Sequence, residues 1–383
     1  MTLHTAAQAA VQREIDRAIE ERREIGVQVA AYLDGELVID AWGGQADETT
    51  GRGVDGDTLF NVFSVSKAIA VTALHLQVER ALIEYEAPVA RYWPEFAVNG
   101  KEAITVRHVI THCSGAPQMP ADTTPELMAD WDAMVRRLAE LEPLAAPGSR
   151  PLYQALNHGW LVGELIRRTD PKGRTPGAFV REELGGSLGA PDLWFGLPDA
   201  LRHRVAKLTD ASNRGARALP PLYLAAMPPP VDLVPAVYEL PSVRRSEILA
   251  VGGVFSARSC ARVWAMLAQG GELDGMRLLS KTLVSTFNTP RNGNDEPDRV
   301  MYGRPMALSI AGYWLGGDQP PVACAAHRRA ICHPGAGNSF AWADPEQRLA
   351  VAFCHNRMAA PANRDEDNFL PIANAIRYEL GLS

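Results

Sequence analysis

The sequence predicts an α+β fold, and observations at opposite ends of the chain predict it. Near the N-terminus a helix-like segment runs into two apolar, strand-like stretches joined by Asp34-Gly35, a strong two-residue hairpin signal. A helix followed by an antiparallel hairpin is not how a parallel sheet begins. Near the C-terminus the strand-like stretches 339–343 and 349–354 flank the turn Asp344-Pro345-Glu346, and a helix over 369–380 closes the chain.

The first helix is read over residues 6–23, with Arg13, Glu14, Asp16, Arg17, Glu20 and Glu21 setting a charged face, and the hairpin strands over 27–33 and 36–42. Residues 43–58 are rich in Gly, Asp and Thr and read as loop. A helix over about 64–81 follows, with Ala70, Leu74 and Val78 at helical spacing. Apolar residues on most of its faces make it a buried central helix. Further helices are read over 131–141, 161–168 and 257–267, and a strand over 308–315. Residues 210–245 hold seven prolines among Tyr223, Leu224, Met227, Val231, Leu233 and Tyr238. Proline stops regular helix, so this stretch reads either as a structured flap at a substrate mouth or, with equal weight, as a packed loop.

At 383 residues the chain suits one large composite domain or two that share an interface, and 46% hydrophobic with 22% charged residues is ordinary for a soluble enzyme. A net charge of −7 with no dense Lys/Arg run argues against nucleic acid as a partner. The five cysteines are sparse and form no Cys-x-x-Cys pair, so neither a zinc site nor a disulfide framework is expected, and no cofactor. No apolar stretch reaches spanning length, and the first residues have neither a basic nor a long apolar region. A cytoplasmic location is therefore expected. Nothing speaks to the oligomeric state.

The chemistry gathers at Phe63-Ser64-Val65-Ser66-Lys67. Residues three apart on a helix share a face, which sets the Ser64 hydroxyl beside the Lys67 amine. A hydroxyl needs a neighbouring base to become a nucleophile. An amine in apolar surroundings loses proton affinity, and Ala68-Ile69-Ala70-Val71 follow. At a helix start, free N–H groups favour developing negative charge. Alone, Ser-x-x-Lys favours the plainer alternative of a helix cap and a surface lysine, because such strings are common. Ser66 is a weaker rival nucleophile. Gly-x-Ser-x-Gly is absent, which disfavours an α/β-hydrolase. His112 reads as a histidine that ties down the turn 111–115 rather than as a base, and Tyr153 sits before a helix where its side chain can reach a cleft.

Ser64-Val65-Ser66-Lys67, Tyr153 and His333-Pro334-Gly335, in that order, resemble the three motifs of the serine β-lactamase/penicillin-binding-protein superfamily. The nearest likeness is to its class C-like branch, which includes family VIII carboxylesterases and related acyltransferases. The stretches 104–115, 157–164 and 340–345 add to the likeness, which spans roughly residues 10–380. The resemblance implies a β-lactamase-like domain over 1–383. An antiparallel sheet flanked by the terminal helices comes from about 1–60 and 250–383. A mainly helical part comes from about 61–249, and the active site lies in the cleft between them. It implies that Ser64 attacks a carbonyl and that Lys67 and Tyr153 share the base role. The N–H groups of Ser64 and Ala336 would form the oxyanion hole, and His333, Gly335 and Asn157 would contact substrate.

Two departures redirect the substrate. Where the superfamily usually carries Tyr-x-Asn or Ser-x-Asn, the third position is Ala155, and where it carries the lysine of Lys-Thr-Gly, this chain has His333, mostly neutral near neutral pH. Neither an amide for a peptide-like substrate nor a cation for its carboxylate is provided. The expected activity is hydrolysis of small-molecule carboxylic esters through an acyl-enzyme. The alternative is transfer of the acyl group to a small-molecule amine or alcohol, with β-lactamase or D-Ala-D-Ala peptidase activity ranked lower.

Overall fold

The computed structural model describes residues 3–212, 219–359 and 364–382. Its centre is a seven-stranded antiparallel sheet built from both chain ends. Taking β1 (Gly26–Leu33), β2 (Glu36–Asp47), β3 (Arg52–Gly53), β4 (Trp314–Leu315), β5 (Ile331–Pro334), β6 (Phe340–Asp344) and β7 (Leu349–His355), the order across the sheet is β4-β5-β6-β7-β1-β2-β3. The N-terminal hairpin thus joins the C-terminal strands where Ala30 stands opposite Ala352. Asp34 and Gly35 at the hairpin turn both take positive φ, 53° and 86°, as a tight two-residue turn requires.

Helix α1 (Thr5–Glu20) packs on β2 and on the closing helix α5 (Leu370–Glu379), while α4 (Ala257–Ala268) packs on β1, β6 and β7. With both faces covered, β7 is buried along its whole length and β1 is buried up to Leu33. Helix α2 (Val65–Glu79) is buried from Val65 to Gln77 and lies against α3 (His158–Thr169) and β5. The expected buried central helix is therefore present, with the start of α2 between the sheet edge and the mainly helical segment. No helix among the described residues is long and apolar enough to cross a membrane. All five cysteines are unpaired.

Two local expectations change. Only Trp314 and Leu315 of the 308–315 stretch are strand, because the chain turns at Gly312 (φ 85°), whose Cβ-less carbon sits beside the Ile110 carbonyl. In the proline-rich stretch, prolines begin short helices rather than prevent them: Pro221–Ala226, Pro235–Tyr238 and Pro241–Arg245 each carry proline in the first turn, where its missing N–H costs no hydrogen bond. Residues 213–218 of that stretch lie outside the described residues.

Helix α3 approaches the segment before the short strand Val254–Phe255 so closely that a Cβ on Gly159 would lie 2.3 Å from the Ala250 nitrogen and 3.0 Å from its Cβ. Gly159→Ala is expected to destabilise the protein by about 1–3 kcal/mol, the usual cost of overpacking. Urea titration checks this; an unchanged midpoint would show that the contact yields freely.

Candidate active site

The position of Ser64, the candidate nucleophile, is made by a short strand, a strained residue and a helix start. Phe60–Asn61 pairs with Val254–Phe255, and the chain then turns through Phe63, whose φ of 46° is unusual for a bulky residue. Such conformations cost about 1–3 kcal/mol and persist where packing holds them. Here Phe63 is buried and meets Tyr238 edge to face, ring centroids 5.3 Å apart. Ser64 follows as the residue capping α2, its side chain free of any capping bond.

Lys67, one turn on, is buried with its Nζ 3.0 Å from Ser64 Oγ, 2.8 Å from the Ala155 carbonyl oxygen and 3.0 Å from the Ala250 carbonyl oxygen. No carboxylate among the described residues pairs with it. Desolvation therefore holds the amine well below the ordinary lysine range. A neutral amine has two N–H groups and one lone pair. With the N–H groups donating to the two carbonyls, the lone pair is left for the Ser64 hydroxyl. Ser66 occupies the opposite side: it is fully buried and its Oγ accepts the Gly253 N–H at 2.9 Å. It ties down the segment that presents Ala250 and does not reach the pocket.

Tyr153 enters from the other side. Its ring centroid is 5.1 Å from Lys67 Nζ, it lines the same pocket as Ser64, and its backbone N–H donates to Asp298 Oδ2 at 2.7 Å. Burial raises the phenol's pKa, so Tyr153 keeps its proton. The two groups beside Ser64 are pushed apart: the lysine toward the free base, the tyrosine toward the neutral acid. His112 supports this arrangement. It takes a positive φ of 59°, accepts the Gln154 N–H through Nδ1 at 3.1 Å, and packs its ring 4.5 Å from that of Tyr153. Desolvation keeps it neutral.

Ser64, Tyr153, Ala155, Gly335 and Ala336 line one pocket of about 230 Å³. Among the described residues the N–H groups of Ser64 and Ala336 donate no hydrogen bond, and both residues line this pocket. Gly335 lies so close to the nucleophile turn that a Cβ there would be 2.4 Å from the Val62 carbonyl oxygen. His333 stands behind this wall: it is fully buried, its Nδ1 lies 2.8 Å from the Pro334 carbonyl oxygen, and it meets Trp314 edge to face. Desolvation lowers its pKa to about 3. Asn157 also lies away from the pocket surface; its amide donates to the carbonyls of Ala116 and Gln118 at 2.8 and 3.0 Å.

The chain resembles known proteins along nearly its whole length. The family model described as Beta-lactamase matches residues 11–373. The chain belongs to the beta-lactamase family. Within it, the chain is 34% identical over 371 residues to the protein named esterase/beta-lactamase LipL of Mycobacterium tuberculosis (strain ATCC 25618 / H37Rv), covering 93% of this chain and 83% of that protein. Among solved structures, a family VIII carboxylesterase superposes with a TM-score of 0.87 at 28% identity, covering 98% of each chain. A penicillin-binding protein homolog from Caulobacter crescentus superposes with a TM-score of 0.82 at 32% identity, covering 97% of each. The beta-lactamase fold and its mixed helices and antiparallel sheet are thus shared along nearly the whole chain.

Several contributors to this site carry no sequence signal. The carbonyls of Ala155 and Ala250 are backbone atoms that any residue supplies, and Asp298 is a single acidic residue at the end of the two-residue strand Pro297–Asp298. The pocket residues Tyr223, Met227 and Leu233 come from the proline-rich stretch, whose described part therefore does line the pocket mouth.

Lys67→Arg places a permanently protonated group beside Ser64. Reaction of Ser64 with an activated ester is expected to fall by about 10²–10⁴-fold, the usual worth of a general base. In the unaltered protein kcat/KM should rise with pH as Lys67 loses its proton and level off below the ordinary lysine pKa of about 10.4. An identical pH profile in Lys67→Arg would remove Lys67 from the base role.

Proposed function

We propose that this chain is a serine hydrolase of carboxylic esters that works through an acyl-enzyme on Ser64. The observation that carries the reading is the buried Lys67 amine, without a carboxylate partner, 3.0 Å from Ser64 Oγ at the pocket floor. Ser64 Oγ adds to the ester carbonyl carbon and its proton passes to Lys67 Nζ. The oxyanion takes the N–H groups of Ser64 and Ala336, donors worth roughly 2.7–4 kcal/mol each in such sites. Collapse breaks the bond to the alcohol oxygen, which takes the Tyr153 proton, and the Lys67 ammonium reprotonates Tyr153. Water then adds to the acyl-enzyme, gives its proton to Lys67, and Ser64 leaves with a proton restored.

The walls argue for a neutral, apolar ester. Met227, Leu233, Val300, Met301 and Trp314 are among them, and no charged side chain is among the described residues lining the pocket. About 230 Å³ has room for a short or medium acyl chain. His333, neutral and buried, offers no cation to a substrate carboxylate, which argues against β-lactams and cell-wall peptides. The names of the relatives, esterase/beta-lactamase and carboxylesterase, support the same class. A second reading, acyl transfer to a small-molecule amine or alcohol, draws on a larger cleft of about 700 Å³ that meets the catalytic pocket at Trp314 and Pro321 and could seat an acceptor.

p-Nitrophenyl acetate should give a burst of p-nitrophenol followed by steady hydrolysis, with both lost in Ser64→Ala. No burst in the unaltered protein, or a full one in Ser64→Ala, sinks the reading. Adding small amines and alcohols and measuring the ratio of transfer to hydrolysis separates the two readings.

A further inference from the structure

We infer that Asp298 is a positioning residue: its one carboxylate holds both the backbone of Tyr153 and the hairpin tip that forms a wall of the pocket, so that acid and wall move as a unit. The inference rests on the ester-hydrolase reading for what Tyr153 does, but its geometry stands apart from it.

Asp298 is fully buried. One oxygen, Oδ2, accepts the Tyr153 N–H at 2.7 Å. The other, Oδ1, accepts the N–H groups of Val300 and Met301 at 2.8 and 3.1 Å. Asp298 pairs with Arg304 in a short antiparallel ladder, and its own carbonyl accepts the Gly303 N–H at 2.7 Å. The residues enclosed by this ladder include Val300, Met301 and Tyr302, all of which line the pocket. Tyr302 takes a positive φ of 58°, and its ring lies 5.2 Å from that of Tyr223 on the opposing proline-rich stretch. A carboxylate is an acceptor at both oxygens, and only an acceptor at both can serve three N–H groups on two sides.

No cation forms an ion pair with this carboxylate among the described residues. The groups facing it are Arg291, which stabilises its charge from beyond ion-pair distance, and Tyr153 and Cys113, both neutral from burial. Desolvation outweighs the three N–H groups and Arg291, raising its pKa to about 6. Protonation turns one acceptor oxygen into a donor, which cannot accept the N–H it faces. The coupling is therefore present above that pH and is lost as pH falls through it.

Hydrogen exchange read by mass spectrometry on the full chain tests this. Peptides covering Tyr153 and covering Val300 and Met301 should lose protection together on going from about pH 8 to about pH 5, after correction for the intrinsic exchange rate. In Asp298→Asn, whose amide keeps only one acceptor oxygen and does not titrate in this range, at least one of the two peptides should be unprotected already at about pH 8, and the joint loss of protection on lowering the pH should disappear. Its burst rate with p-nitrophenyl acetate should fall on the order of 10²-fold, mostly in kcat, as misplacement of a reacting group predicts. Independent or pH-insensitive exchange of the two peptides in the unaltered protein overturns the inference, even if Asp298→Asn does not fold. So does a folded Asp298→Asn with unchanged exchange and burst rate. A protein that shows coupled exchange but no burst would instead overturn the ester-hydrolase reading and leave the positioning role standing.

Discussion

An uncompensated amine in a dry interior is the constraint on which the rest of the site depends. Lys67 is buried against two main-chain carbonyls and a hydroxyl, with no anion among the described residues to hold its proton. Burying a charge unpaired is costly enough that the group gives up its proton instead. Much of the surrounding architecture keeps that arrangement in place. Gly159 lets α3 approach Ala250, Ser66 pins Gly253, and strained Phe63 sets Ser64 at the mouth of α2. These contacts belong to stability, yet the close approach at Gly159 also seats Ala250, whose carbonyl oxygen lies 3.0 Å from Lys67 Nζ.

The same dryness sorts the remaining titratable groups. Tyr153 keeps its proton, and desolvation holds His112, His158 and His333 neutral. The neighbourhood of Ser64 is thus rich in ionisable residue types and poor in charge. That suits an ester whose acyl part is itself uncharged. It fits a pocket built from Met227, Leu233, Val300, Met301 and Trp314.

The fold was legible where local chemistry and burial agreed. Asp34-Gly35 marked the hairpin, and unbroken apolar character marked α2 and β7. The stretch 308–315 misled because it has strand composition but a glycine turn inside it. The proline-rich stretch misled because proline opens helices as readily as it interrupts them. At the site, helical spacing put Ser64 and Lys67 together, and the motif resemblance drew Tyr153 to them. His333 and Asn157 were read as facing substrate, whereas their side chains turn into the protein, toward Pro334 and toward the 116–118 main chain. A motif gives a residue's place along a strand or loop but not the rotamer its neighbours impose. The Ala155 and Ala250 carbonyls and Asp298 were illegible for a different reason. They act by tertiary proximity across 88, 183 and 145 residues of chain, and no local pattern encodes that.

The account comes down to a covalent bond at one oxygen. The most direct measurement is intact mass, followed by peptide mapping, of protein quenched with acid soon after mixing with a pool of short-chain p-nitrophenyl esters. A mass increase equal to one acyl group, mapped to Ser64 and absent from Ser64→Ala, is the predicted result. Unmodified protein while ester is being consumed, or an acyl group mapped to another residue, would contradict it.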